Sequence, residues 1–140
     1  VIVGFPGETE EEFRETVEFV KKIGFYELHV FKYSRRRGTA ADKMDGQVAE
    51  SVKNERSEAL LELGGELSLD YRKKYIGRSV KVLLEEELTV QGKKYFAGFT
   101  DTYVRVAVEN AENTLAPNRI VSVRILGLLG KEMVIGVAEI

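Results

Sequence analysis

Four stretches of this chain carry residue types that could do chemistry. The first is Gly4-Phe5-Pro6-Gly7, which stops the β-branched run Val1-Ile2-Val3 and hands over at once to an acidic segment. In open or barrel-like αβ folds, ligands sit where parallel strands end, and a glycine there lets the backbone approach a bound group. From the residues alone, a turn shaped by sterics is the plainer reading and a ligand-facing turn the alternative. A phosphate loop fits poorly, because the Walker lysine and its Ser/Thr partner are absent. The second stretch places Lys32, Arg35, Arg36 and Arg37 within six residues. Guanidinium forks suit phosphate oxygens, and a solvated loop reads equally well. The third interleaves Lys93, Lys94, Tyr95, Phe96, Phe99, Tyr103 and Arg105. Small barrels use such strands to stack bases and to hold a nucleic-acid backbone. Strand alternation means that Tyr95 and Phe96 cannot both face outward, so at least one belongs to a core. The fourth is Glu85-Glu86-Glu87. Consecutive strand residues point to opposite faces, so the triplet does not converge on one ion. An exposed strand end or turn is expected there, and no metal site and no catalytic residue is assigned.

Other chemistries are excluded by composition. There is no cysteine among the 140 residues, hence no disulfide, thiolate metal site or cysteine nucleophile within them. The single histidine, His29, sits inside an apparent strand and reads as structural. Hydrophobic residues at 44% and charged residues at 31% describe a globular rather than a disordered chain. No apolar run reaches the ~18 residues of a membrane helix, and no basic, cleavable leader opens the chain. A net charge of −2 argues against wrapping nucleic acid by bulk charge, though a local basic patch is compatible with it.

The elements that must position these residues follow from periodicity. Thr9 and Glu12 have capping-box spacing, and Phe13, Val17 and Val20 form one apolar stripe, so a helix is expected over 9–23, ended by Gly24. Glu27–Tyr33 alternates as a second strand. Strand, helix and strand make a βαβ unit with parallel neighbours. Two parallel strands cannot bury both faces, so the chain reads as a piece of a larger αβ domain opened in mid-fold. A polar loop over 34–46 precedes a helical stripe over 47–74 carrying Val48, Val52, Ala59, Leu60, Leu63, Leu67 and Tyr71. Gly64-Gly65 predicts a kink or break in it. From Tyr75 the period becomes alternating. Strands are expected over 78–84, 94–100, 103–109, 119–126 and 132–140, with turn signals between them. Five short strands without a helix suggest a small closed barrel. The fold class is therefore α/β plus all-β, with domains 1–74 and 75–140.

Several segments in this order resemble one family. Val-Ile-Val-Gly-Phe-Pro-Gly-Glu-Thr, then Glu-Leu-His-Val-Phe-Lys-Tyr-Ser-Arg-Arg-Arg-Gly-Thr-Ala-Ala, then Gln-Val and Lys53-Asn54-Glu55-Arg56 are similar to the radical-SAM methylthiotransferases. The resemblance implies that residues 1–74 are the fifth and sixth strands of a partial (β/α) barrel with the helix leading out of it. It implies that residues 75–140 are a TRAM domain, an RNA-binding β-barrel of OB-like character. Gly98-Phe99-Thr100-Asp101-Thr102-Tyr103-Val104-Arg105-Val106 resembles most the branch acting on threonylcarbamoyladenosine beside the tRNA anticodon. The family's Cys-x-x-x-Cys-x-x-Cys loop and its second set of cluster cysteines have no counterpart here. Its loop after the second strand often holds proline where this chain has Tyr-Ser-Arg-Arg-Arg-Gly-Thr.

What the resemblance implies for function is specific. The parent would be a cytoplasmic tRNA methylthiotransferase using S-adenosylmethionine and two 4Fe-4S clusters. This portion would be inactive alone and would bind no cluster through its own residues. Gly4, Phe5, Pro6, Tyr33 and Ser34 would shape the S-adenosylmethionine pocket. Arg35, Arg36, Arg37, Lys93, Lys94, Tyr95, Phe99, Tyr103 and Arg105 would hold the tRNA anticodon stem-loop. The barrel segment holds eight basic and eight acidic residues, so it would serve as an auxiliary grip. The unpaired strand edges of the βαβ piece would favour self-association. The alternatives are a methylthiotransferase acting on a ribosomal-protein aspartate, a non-catalytic RNA-binding module and a structural fragment.

Overall fold

A computed structural model describes residues 1–109 and 115–139. The chain divides into two compact units, residues 1–68 and 69–140.

In the first unit, β1 (Ile2–Val3) and β2 (Phe31–Lys32) pair in parallel, with Ile2 opposite Phe31 and Val3 opposite Lys32. Helix α1 (Glu10–Ile23) joins them. Its capping box is formed: the Glu12 N–H donates to Thr9 Oγ1 at 3.2 Å and the Thr9 N–H donates to Glu12 Oε2 at 2.8 Å. The Thr9 N–H, and after it the Thr9 hydroxyl, which also donates to Glu12 Oε2, hold the Glu12 carboxyl below its usual pKa. Acidic residues in the first turn and Lys21 and Lys22 in the last suit the helix dipole. Helix α2 (Glu50–Lys73) follows a loop containing one 3-10 turn at Ala41–Lys43. Val3, Phe13, Val20, Leu60 and Leu63 make the core, with Val17, Leu28, Val30 and Leu67 packed against it.

In this first unit the structure departs from three expectations. The second strand is two residues long rather than seven, because β1 offers only two partners. The Phe31 and Tyr33 amides, which donate to the Val1 and Val3 carbonyls, use up that edge. His29 therefore lies outside any strand. Its ring is exposed, 3.7 Å from the Glu27 carboxylate, and its carbonyl accepts from the Val1 amino group at 2.7 Å. Helix α2 runs through Gly64-Gly65 without a break. The Leu28 side chain packs on Gly64 so closely that an added Cβ would lie 3.3 Å from Leu28 Cδ1. Tertiary packing outweighs the propensity cost at that site.

The second unit holds β3 (Ser79–Val90), β4 (Lys93–Phe99), β5 (Arg105–Glu109), β6 (Arg119–Leu129) and β7 (Met133–Ala138). They form a closed barrel in the order β3-β4-β5-β7-β6, with a parallel β5–β7 pair and the other pairs antiparallel. Val82, Leu84, Val106, Val123, Ile125 and Val134 are fully buried. The β3–β4 hairpin turns through Gln91 and Gly92, both at positive φ, the geometry that matches strand twist. Ile140, placed by sequence at the end of the fifth barrel strand, lies outside the described residues. The Glu85–Glu87 triplet lies inside β3 rather than at a strand end or turn. The strand runs six residues further than its alternation suggested, past a bulge between Leu84 and Glu86.

Candidate functional site

At the C-terminal end of the parallel pair lies a cavity of about 540 Å³, lined by Phe5, Phe31, Tyr33, Ser34 and Arg36 among others. The Phe5 and Tyr33 rings meet edge to face, with centroids 5.3 Å apart. The Tyr33 hydroxyl is buried and makes no hydrogen bond among the described residues. Of the sequence-predicted pocket residues, Phe5, Tyr33 and Ser34 line this opening. Gly4 and Pro6 are buried beside it. Phe5 and Pro6 also face a second, acidic hollow formed with α1.

Beneath the turn sit two cations that the sequence reading left without a role. Lys53 and Arg56 are 6% and 7% exposed at their side chains. Lys53 Nζ donates to the Tyr33 carbonyl at 3.1 Å and to Glu50 Oε1 at 2.7 Å, and lies 5.5 Å from the Tyr33 ring centroid. That bond holds the Glu50 carboxyl below its usual pKa. Arg56 Nη1 donates to both the carboxylate and the carbonyl of Glu8. Glu8 Oε1 in turn accepts the Gly4 N–H at 2.9 Å. A signal for these residues existed. Continued backward at helical spacing, the Leu67, Leu63, Leu60 stripe reaches Arg56 and Lys53, two charges on the buried face.

The three arginines do not act alike. Arg35 is committed to its own loop, donating through Nε to Asp42 Oδ1 and through Nη2 to the Asp42 carbonyl, both at 2.7 Å. The guanidinium, and after it the Gly38 N–H, hold the Asp42 carboxyl below its usual range. Arg36 and Arg37 are exposed, and their side chains make no hydrogen bond or ion pair among the described residues. Only Arg36 of the three lines the strand-end cavity.

On the barrel, the predicted residues separate in the same way. Tyr95 and Phe96 are both buried, at 5% and 4% exposure. Alternation requires that one of them be core, and β4 is in fact covered on both faces. Tyr95, expected from the sequence to stack on RNA, therefore has no face to offer a base. Arg105 is engaged by Glu86 at 2.5 Å and Lys93 by Glu109 at 3.8 Å. Lys94 is exposed. Phe99 and Tyr103 line a groove of about 840 Å³ together with Lys81, Leu83, Glu85 and Ile120. Leu83 lies opposite both Phe99 and Ile120 across its two neighbouring strands. Tyr103 is 78% exposed and held at φ 62°. Thr100 fixes that turn: its hydroxyl accepts the Val104 N–H and its carbonyl accepts the Tyr103 N–H, each at 3.0 Å. Among the described residues no cluster of metal-ligating side chains occurs, and no helix is long and apolar enough to cross a membrane.

No protein-family model matches the chain. Individual proteins do. The chain is 45% identical over 127 residues, 90% of its length, to the threonylcarbamoyladenosine tRNA methylthiotransferase MtaB of Bacillus subtilis, covering 28% of that protein. It is 46% identical over 102 residues, 73% of its length, to the tRNA-2-methylthio-N(6)-dimethylallyladenosine synthase of Fusobacterium nucleatum, covering 23% of it. It is 43% identical over 91 residues, 65% of its length, to the ribosomal protein uS12 methylthiotransferase RimO of Desulfitobacterium hafniense, covering 20% of it. The chain thus spans between a fifth and three tenths of these curated relatives. Identity at this level over most of its residues means that the chain belongs to the radical-SAM methylthiotransferase family.

Proposed function

We propose that this chain is the cofactor-flanking and RNA-gripping portion of a cytoplasmic enzyme that adds a methylthio group to a modified adenosine beside the tRNA anticodon. Residues 1–74 would complete one side of a radical-SAM (β/α) barrel, and residues 75–140 would be its TRAM domain. The observation that carries this reading is the 127-residue match to a tRNA methylthiotransferase, which reaches across both compact units.

The strand-end cavity fits the S-adenosylmethionine that the family implies. Aromatic rings from Phe5, Phe31 and Tyr33 suit the faces of an adenine, and the orphaned Tyr33 hydroxyl suits a polar group of the ligand. When bound, S-adenosylmethionine supplies the methyl group and, with an iron–sulfur cluster, the radical. The clusters themselves find no thiolate here, since the chain has no cysteine. Gly4 and Pro6 shape the wall of the pocket, Phe5 and Tyr33 bind and orient the cofactor, and Ser34 and Arg36 sit at its rim. Arg36 and Arg37 would take RNA phosphates, while Phe99 and Tyr103 offer ring faces to unpaired bases with Lys94 nearby in sequence. Arg35, Lys93 and Arg105 contribute by holding their loops and strands.

The test is binding of an anticodon stem-loop RNA across a salt series. Salt-sensitive binding should weaken severalfold in Arg36→Ala/Arg37→Ala and lose about one to two units of salt slope. Arg35→Ala should act only through loop order. Salt-independent binding, or none at low salt, would remove RNA from this reading and favour a ribosomal-protein substrate, as the name of the uS12 relative suggests.

A further inference from the structure

We propose that Lys53 and Arg56 are positioning residues that hold the ends of β1 and β2 around the opening between Phe5 and Tyr33. This rests on reading that opening as the cofactor pocket. The two cations divide the task. Arg56 reaches β1 through Glu8, whose carboxylate ties the Gly4 N–H at 2.9 Å. Lys53 reaches β2 directly, through the Tyr33 carbonyl at 3.1 Å. Both come from the first two turns of α2, so one rigid element sets both strand ends.

The energetics favour a geometric role over a purely stabilising one. A buried ion pair stabilises a fold little better than apolar residues of the same volume would. What an ammonium or guanidinium adds is direction, because its donors must find acceptors. Here the acceptors are a backbone carbonyl at one strand end and a carboxylate that reads the backbone at the other. Packing agrees: a Cβ on Gly4 would lie 2.3 Å from Lys53 Cγ, so the lysine stem fills the space under the turn. Gly4 also stands at φ 74°, a conformation that needs support from its surroundings.

Lys53→Met keeps the stem and removes the donors. By NMR on this chain, NOEs within the Val3, Phe13 and Leu60 cluster should persist, while those between the Phe5 and Tyr33 rings fall by about half or more. Affinity for S-adenosylhomocysteine, titrated in the same samples, should drop about tenfold, the factor that one lost hydrogen bond of ordinary strength produces. Unchanged ring NOEs with an intact core would overturn the proposal. Should the wild-type chain show no binding, the pocket reading falls and the ring NOEs alone decide the role of the two cations. If Lys53→Met loses the core NOEs, Glu8→Ala is read instead. It removes the carboxylate through which Arg56 reaches the Gly4 N–H and lies outside the Val3, Phe13 and Leu60 core, and unchanged ring NOEs there would equally overturn the proposal.

Discussion

Arg35 and Arg36 are neighbours of one type with different duties, and the difference comes from a single carboxylate. Asp42 accepts from Arg35 Nε at 2.7 Å and from the Gly38 N–H at 3.2 Å, and the Thr39 hydroxyl accepts from the Asp42 amide. Arg36 has no such partner among the described residues and remains available at the cavity rim. The sign of the pH effect follows from the Asp42 shift. Its folded-state pKa lies below the ordinary value, so its contribution to loop order is present above the unfolded value near ~4 and is lost as pH falls through the depressed folded value. An acid titration followed on the Gly38 amide should therefore show the loop loosening only at the acidic end. Asp42→Asn should show the loosened signal at neutral pH. A Gly38 amide indifferent to both would mean that the loop owes nothing to this pair.

Within the barrel, two glycines mark where strands bend. Gly98 pairs with Leu84 and Gly136 with Ile125, and each bulge begins at the partner residue. A Cβ at Gly98 would lie 2.0 Å from the Leu83 carbonyl oxygen, and one at Gly136 would lie 2.6 Å from that of Arg124. Backbone cannot yield as a flexible side chain can, so Gly98→Ala should destabilise the barrel by about 3 kcal/mol, the upper range for single substitutions. In α2 the sign reverses at Gly65, where an added Cβ meets nothing within 4 Å. Gly65→Ala should stabilise by about 1 kcal/mol. Denaturant unfolding measures both, and a harmless Gly98→Ala would mean that the barrel corners do not depend on that close approach. These glycines show what was legible. Period and turn residues gave the first helix, the barrel strands in order and the strand-end turn. They could not give the bulges, the unbroken course through Gly64-Gly65 or the burial of Tyr95. Each of those is decided by a partner distant in sequence: Leu83, Leu28 and the second covered face of β4. Lys53 and Arg56 were hidden for another reason, since charge at a helical position ordinarily means solvent.

At the scale of the whole chain, the two units differ in how their backbone is satisfied. The barrel closes on itself, so each of its five strands has neighbours on both sides. The parallel pair has two residues per strand and leaves Ile2 and Phe31 opposite one another at 59% and 61% exposure. A sheet of that size, apolar on an uncovered face, has little to resist local opening. The Phe31 and Tyr33 amides, which donate to the Val1 and Val3 carbonyls, should thus exchange with solvent at least ~100-fold faster than central barrel amides such as Val106, a gap of at least ~2.7 kcal/mol in opening free energy. Protection at Phe31 that rises with protein concentration would instead mean that copies of the chain cover this face for one another. Protection equal to that of the barrel at every concentration would contradict the argument, because it would require the two-residue strands to be held by more than their own pairing and the core beneath them.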